Sequence, residues 1–204
     1  RMGDLYGIGY NRAPDGQIIY NAQGLPTRTT EIKYLGNTTP DWKGSFGSEF
    51  KYKNFRLNFL MDGQFGGVAY SLTHAVLMEE GKLNKTLPGR YNGIVGDGVQ
   101  YDAVNDKYVP NTIVATNIQA YYDAHFNRDN VEANTFSTDF IKLREVRFDY
   151  TFAKKLVSKL KLQRATLGAY GRDLFVITKW PGYDPEFGTL ENGTINAGFE
   201  IAQF

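Results

Sequence analysis

With 204 residues the chain is long enough for one domain or for part of a larger one, and a net charge of +1 leaves no chain-wide footprint for nucleic acid. The lack of cysteine removes disulfides, thiolate metal sites and cysteine nucleophiles. No apolar run approaches the ~20 residues of a spanning helix, so any membrane crossing would have to be made by strands. The 14 Tyr and 14 Phe favour pleated surfaces, and the 22 Gly suit turns. The chain opens on Arg1-Met2-Gly3-Asp4, without the basic start and apolar stretch of an export signal, as expected of a fragment or a processed product.

In chain order, residues 1–40 read as extended segments broken by turns. Asp15-Gly16 and Gln23-Gly24 flank a short hairpin arm at Gln17-Ile18-Ile19-Tyr20, and residues 37–40 form a turn cluster. Period-two alternation then begins. Trp42, Gly44, Phe46, Ser48, Phe50 and Tyr52 fall on one face; Lys43, Ser45, Gly47, Glu49, Lys51 and Lys53 fall on the other. A tight turn is expected at residues 53–55. Alternation resumes with Leu57, Phe59, Met61 and Phe65 opposite Arg56, Asn58, Asp62 and Gln64, with Leu60 as an exception on the polar face.

Residues 67–137 lack long periodic runs, apart from a short helix expected over residues 70–81. A stretch of this length between two clear strands suggests a functional loop. Alternation returns near Phe140, with Val146, Phe148, Tyr150 and Phe152 opposite Glu145, Arg147, Asp149 and Thr151. Residues 153–161 make a basic connection. Lys154, Lys155, Lys159, Lys161 and Arg164 read as a solvated turn. A last clear strand covers residues 164–179, and the tail from Tyr183 is loop-like, with a strand expected from Ala197.

Strands with one greasy and one charged face suit a soluble β-sandwich, such as a carbohydrate-binding module, or a transmembrane barrel with lipid outside and water within. Three features favour the barrel. The patterns reach the ~9–11 residues a tilted spanning strand needs. Aromatic residues (Trp42, Tyr52, Phe55, Tyr150, Phe152, Trp180) gather near the strand ends, as interface girdles do. Short and long connections alternate, as between periplasm and exterior. The expected fold is therefore all-β: a segment of a transmembrane antiparallel β-barrel with long extracellular loops. Residues 67–137 would be extracellular, and residues 53–55 and 153–161 would be periplasmic turns. The chain stops at Phe204 before a final descending strand, so it is expected to be part of a membrane protein rather than the whole.

Several motifs, in order, carry a family resemblance. They are residues 15–26 (DGQIIYNAQGLP), 35–42 (LGNTTPDW), 52–55 (YKNF), 62–64 (DGQ), 89–93 (GRYNG), 96–99 (GDGV), 140–146 (FIKLREV), 171–175 (GRDLF) and 182–186 (GYDPE). Together they resemble the C-terminal part of the SusC/RagA family of TonB-dependent outer-membrane transporters of Bacteroidetes. The resemblance implies a twenty-two-stranded barrel occluded by an N-terminal plug. It implies energy delivered through TonB, a SusD-like surface lipoprotein as partner, outer-membrane lipid around the wall, and an oligosaccharide or peptide as substrate. The plug, the TonB-contacting segment and the usual last strand would lie outside this chain. A passive porin, which has no plug, is the other transport reading.

No catalytic residue, metal site or cofactor is expected. His74 and His125 are the only histidines and both fall in the long central segment. Asp97, Asp102 and Asp106 lack the regular spacing of a calcium loop. Gly7-Ile8-Gly9 is too short for a nucleotide fingerprint, and Asn192-Gly193-Thr194 reads as a chance sequon. Tyr121, Tyr122, Trp180 and Tyr183 are the candidate substrate contacts, since a flat ring can stack on a sugar. Glu49, Arg56, Asp62, Glu145, Arg147 and Asp149 would face the lumen, pairing with each other or with the plug.

Overall fold

A computed structural model describes residues 3–182, 184–186, 189–191 and 194–196. In chain order the main elements are β1 (Asp4–Gly7), β2 (Lys33–Asn37), β3 (Trp42–Tyr52), β4 (Phe55–Phe65), β5 (Val68–Tyr70), α1 (Leu72–Glu79), β6 (Ile94–Val95), β7 (Val99–Asp102), β8 (Lys107–Pro110), β9 (Val114–Ala115), α2 (Ile118–Phe126), β10 (Thr135–Ser137), β11 (Phe140–Thr151), α3 (Lys154–Val157), β12 (Thr166–Thr178), β13 (Thr189–Glu191) and β14 (Thr194–Asn196). They divide into two compact units. The first comprises Arg1–Thr39, Val68–Ser137 and Pro181–Phe204; the second comprises Pro40–Gly67 and Thr138–Trp180.

The second unit is a four-stranded antiparallel sheet in the order β12-β11-β4-β3. Its strands run 11, 11, 12 and 13 residues from β3 and β4 to β11 and β12, the length a tilted membrane crossing requires. Tyr52 pairs with Phe55, so the β3–β4 turn is only Lys53-Asn54, with Lys53 at φ 52°. The expected turn at residues 53–55 is therefore one residue tighter, because Phe55 already belongs to the ladder.

The register sorts side chains as the alternation predicts. One face carries Trp42, Phe46 and Phe50 of β3, Phe55, Leu57, Phe59 and Met61 of β4, Val146, Phe148 and Tyr150 of β11, and Leu167 and Phe175 of β12. Cross-strand ring contacts knit it, among them Phe46–Phe59 at 5.8 Å and Phe55–Phe148 at 5.6 Å. The opposite face carries Lys43, Glu49, Arg56, Asn58, Asp62, Glu145, Arg147, Asp149, Tyr170 and Arg172. Leu60, the exception, sits opposite Gly47, where a Cβ would lie 3.3 Å from Leu60 Cδ1. The leucine thus fills the gap that the missing side chain leaves.

One irregularity interrupts the sheet. The register of β11 shifts between Leu143 and Glu145, against β4 and β12 alike. Arg144 is the extra residue on β11, while Asp173 and Leu174 are extra on β12, with Asp173 in the left-handed region at φ 45°. The Arg144 guanidinium reaches Asp62 at 2.5 Å and Asp173 at 3.3 Å, so the bulge is pinned by an ion-pair bridge across three strands.

The first unit has short ladders (β1–β2, β5–β10, β6–β9 and β7–β8) and two helices. Ser71 caps α1 by accepting from His74 N, and Asn117 caps α2 by accepting from Ala120 N. The hairpin arm at residues 17–20 forms as isolated bridges, Arg12 to Ile18 and Tyr20 to Pro26, between turns held by Asp15 and Asn21. The stretch 67–137, which reads in the sequence as a loop with one short helix over residues 70–81, carries that helix as α1, a second helix α2 and much of a core. Tyr20, Met78, Ala115, Tyr121 and Tyr122 form its centre, with Ile18, Leu25, Leu83, Ile94, Ile118 and Phe126 packed around them.

Candidate functional site

Three places in the molecule combine shape with chemistry. The first is the charged face of the sheet, where an open groove of about 780 Å³ runs over Asn58, Glu145, Arg147, Asp149, Gly168 and Tyr170. Its charges are matched locally. Arg147 donates to Asp149 at 3.0 Å, Arg172 lies 3.3 Å from Glu145, and Tyr170 donates to Glu145 at 2.9 Å. On the neighbouring strands Glu49 pairs with Lys51 and lies 3.7 Å from Arg56. Such a face presents alternating charge to water and offers hydrogen-bonding groups to a polar solute. Asp149 fits only because Gly168 lies opposite, where a Cβ would come within 2.3 Å of its carboxylate.

The second place is the interior of the first unit around His125. Tyr10 Oη donates to the His125 carbonyl at 3.0 Å and lies 3.1 Å from Nδ1, while Tyr20 Oη lies 3.2 Å from Nε2. With the Tyr10 proton committed to the carbonyl, Nδ1–H donates to Tyr10, and Nε2 accepts from Tyr20. Burial lowers the His125 pKa to about 4, so the ring is neutral, and burial raises both phenols above their ordinary value. Asn130 also donates to the His125 carbonyl, at 2.7 Å. The cluster ties the N-terminal segment to α2, and every polar group in it is engaged.

This cluster includes two of the expected substrate contacts. Tyr121 is 7% exposed, with its ring 4.6 Å from His125; Tyr122 is 6% exposed and donates to the Pro88 carbonyl at 3.0 Å. Tyr122 also lines a groove of about 560 Å³ with Met78, Glu79, Arg90, Asn117 and Ile118. Trp180 is 7% exposed, and its backbone N–H donates to Thr178. Tyr183 lies outside the described residues. The structure brings Tyr121 and Tyr122 together as adjacent edge-to-face rings, 5.3 Å apart.

The third place is His74, which the sequence singles out only as one of two histidines. It is 4% exposed, and its Nδ1 lies 2.8 Å from Asn134 Oδ1. Its Nε2 is buried without a partner. His74 lines a cavity of about 340 Å³ with Ser71, Thr73, Leu77, Leu83, Pro181 and Gly182.

The acidic residues weighed as a calcium loop serve a hairpin instead. Asp102 accepts from the backbone of Val104 and Asn105, and Asp106 accepts from Tyr101 Oη at 2.5 Å. Among the described residues no group of three or more His, Asp or Glu side chains is arranged to hold a metal ion.

No family model matches the chain. Two curated proteins of Formosa agariphila are similar to it. TonB-dependent receptor P3 is 26% identical over 174 residues, covering 85% of this chain and 16% of the receptor. TonB-dependent receptor P39 is 26% identical over 163 residues, covering 78% of this chain and 14% of the receptor. The chain thus spans about one sixth of the length of these relatives. Among solved structures, the RagAB peptide importer in its closed-closed state shares the fold at a TM-score of 0.56 and 15% identity, over 91% of this chain and 22% of that one. The same importer in its open-open state gives a TM-score of 0.55 at 14% identity, over 89% and 19%.

Proposed function

We infer that this chain, which belongs to the TonB-dependent receptor family, forms part of the wall and outer loops of an active outer-membrane importer. The observation that carries the reading is the sheet itself. Its apolar face is bare: Phe46 is 64% exposed, Phe50 58% and Leu167 67%. Most of the charges on its other face are paired, Glu49 with Lys51 and Arg56, Glu145 with Arg172, and Asp149 with Arg147. A water-soluble sandwich would bury the first face under a second sheet, whereas a barrel wall gives it to lipid and turns the other to a wet lumen. At the ends of the sheet, β3 and β12 have no outer ladder partner among the described residues, an edge lipid would not tolerate, so in this reading further strands of the full-length receptor pair with them.

In this account β3 descends, β4 rises, β11 descends and β12 rises. Residues 53–55 and 153–161 are periplasmic turns, and residues 67–137 lie outside the cell. The wall belongs to a twenty-two-stranded barrel with an N-terminal plug and a TonB-contacting segment elsewhere in the protein. The cargo is a glycan or a peptide, delivered by a SusD-like lipoprotein; the likeness to a peptide importer of known structure supports such an assembly. Of the candidate substrate contacts Tyr121, Tyr122, Trp180 and Tyr183, Tyr122, at a groove wall, is the one best placed to touch the cargo, while Tyr121 and Trp180 are buried in protein. Kinship with TonB-dependent receptors favours active import over a passive porin. Deleting the full-length gene, or removing TonB, should abolish uptake of a labelled oligosaccharide or peptide into cells that need this receptor. Uptake that persists without TonB would overturn active import.

A further inference from the structure

The cavity beside His74 is built around one fixed hydrogen-bond acceptor. Asn134 is 0% exposed, and its amide nitrogen donates to the carbonyls of Phe126, Asn127 and Asn130 at 2.9, 3.2 and 3.0 Å. Those three contacts fix the amide so that Oδ1 points at His74. Nδ1 of His74 therefore carries the proton and donates, which leaves Nε2 as a bare lone pair. Phe126 and Phe136 meet the ring edge to face at 5.7 and 4.8 Å and hold its plane. Neither Asn134 nor these two phenylalanines lines the cavity, so the edge of the imidazole turned to it is the one bearing Nε2. A buried acceptor without a donor is costly unless something supplies the missing hydrogen bond.

The remaining walls say what that something looks like. Leu77, Leu83 and Pro181 are apolar, Ser71 accepts the α1 cap hydrogen bond, and Thr73 and Gly182 complete the lining. The volume of about 340 Å³ is at the small end for ligand sites and many times the space of one water. A sugar ring would bring several hydroxyls against a mostly apolar wall in which Nε2 is the buried acceptor left without a partner. A flat apolar body with a single N–H or O–H matches it. We propose that this cavity receives a tyrosine or tryptophan side chain of a peptide ligand, its phenol or indole donating to His74 Nε2. The source of that peptide rests on the importer reading above; the recognition itself does not.

The test uses the full-length receptor in detergent, with N-acetyl-tyrosinamide, N-acetyl-tryptophanamide and N-acetyl-phenylalaninamide as probes and binding followed by calorimetry or ligand-observed NMR. The tyrosine and tryptophan amides should bind about tenfold more tightly than the phenylalanine amide, which lacks the donor. His74→Phe should erase that difference, and Leu83→Trp, which fills the cavity and leaves the histidine in place, should weaken all three probes by tenfold or more. Equal affinity for the three probes in the native receptor would overturn the proposal even if both variants misfold. So would displacement of the probes by maltose, or the finding of ordered water alone at Nε2. Import is read separately, as TonB-dependent uptake in cells, so an inert cavity in a working importer sinks only this proposal.

Discussion

The imidazole of His125 is held between the hydroxyls of Tyr10 and Tyr20, and its burial makes the neutral form the folded one. The sign of the pH effect follows. The ring binds its proton at about pH 4 when folded and at about 6.5 when unfolded, so the unfolded state takes up the proton first as pH falls. The stability it contributes is present above pH 6.5 and is lost progressively toward pH 4, up to about 3 kcal/mol. Hydrogen exchange of α2 and of residues 17–20 should therefore accelerate across that window, and His125→Phe should flatten the profile. Glycine 98 poses a different constraint. A Cβ there would lie 2.3 Å from the Ile18 carbonyl oxygen, which is backbone and accepts from Val99 N at 2.9 Å. Gly98→Ala should cost roughly 1–3 kcal/mol, seen as earlier melting of the first unit by the same exchange measurement.

At the scale of elements, the two faces of the sheet make opposite predictions for one substitution on neighbouring residues. Phe46→Arg places a charge at mid-strand on the apolar face and should cost ~2–4 kcal/mol in urea unfolding of the receptor from lipid vesicles. Ser45→Arg puts the same charge opposite Asp62 on the polar face and should change stability by less than about 1 kcal/mol. Truncating the bulge bridge, Arg144→Ala, leaves Asp62 and Asp173 without their shared cation and should lower stability by roughly 1–3 kcal/mol in the same assay.

These strands were legible from the chain because each has a different solvent on its two sides, and period two is what such a surface writes into a sequence. Phe46, Phe59, Val146 and Phe148 alternate with Ser45, Asn58, Glu145 and Arg147 for that reason. The bulge was not read from the chain, although it is where the apolar phase changes from Ile141 and Leu143 to Val146 and Phe148. The first unit was not legible in this way. Its strands are 2–5 residues long, too short to display a period, and its core joins Tyr20 to Tyr121 and Tyr122 across a hundred residues of chain. Tyrosines 121 and 122 carry the same composition signal whether they stack on a ligand or pack on a histidine; burial separates the two, and sequence does not report burial. His74 had no signal at all, since its lone pair is orphaned by Asn134, sixty residues away.

At the scale of the whole molecule, everything rests on the medium that meets the apolar face. The sheet presents strands long enough to cross a bilayer, a lipid-compatible side with bare rings and a water-compatible side with paired charges. The proposed import and the proposed extracellular place of residues 67–137 both require that assignment. The direct measurement is site-directed spin labelling at every position of residues 42–52 and 140–150 of the full-length receptor in vesicles, with collision rates to oxygen and to a nickel chelate. Labels at 46, 50, 146 and 148 should be reached by oxygen and shielded from nickel, and labels at 45, 49, 145 and 147 should show the reverse, in an alternation whose phase changes only at the bulge around Arg144. If labels on the phenylalanine side are shielded from both reagents, that face is packed against protein, and the barrel wall is refuted.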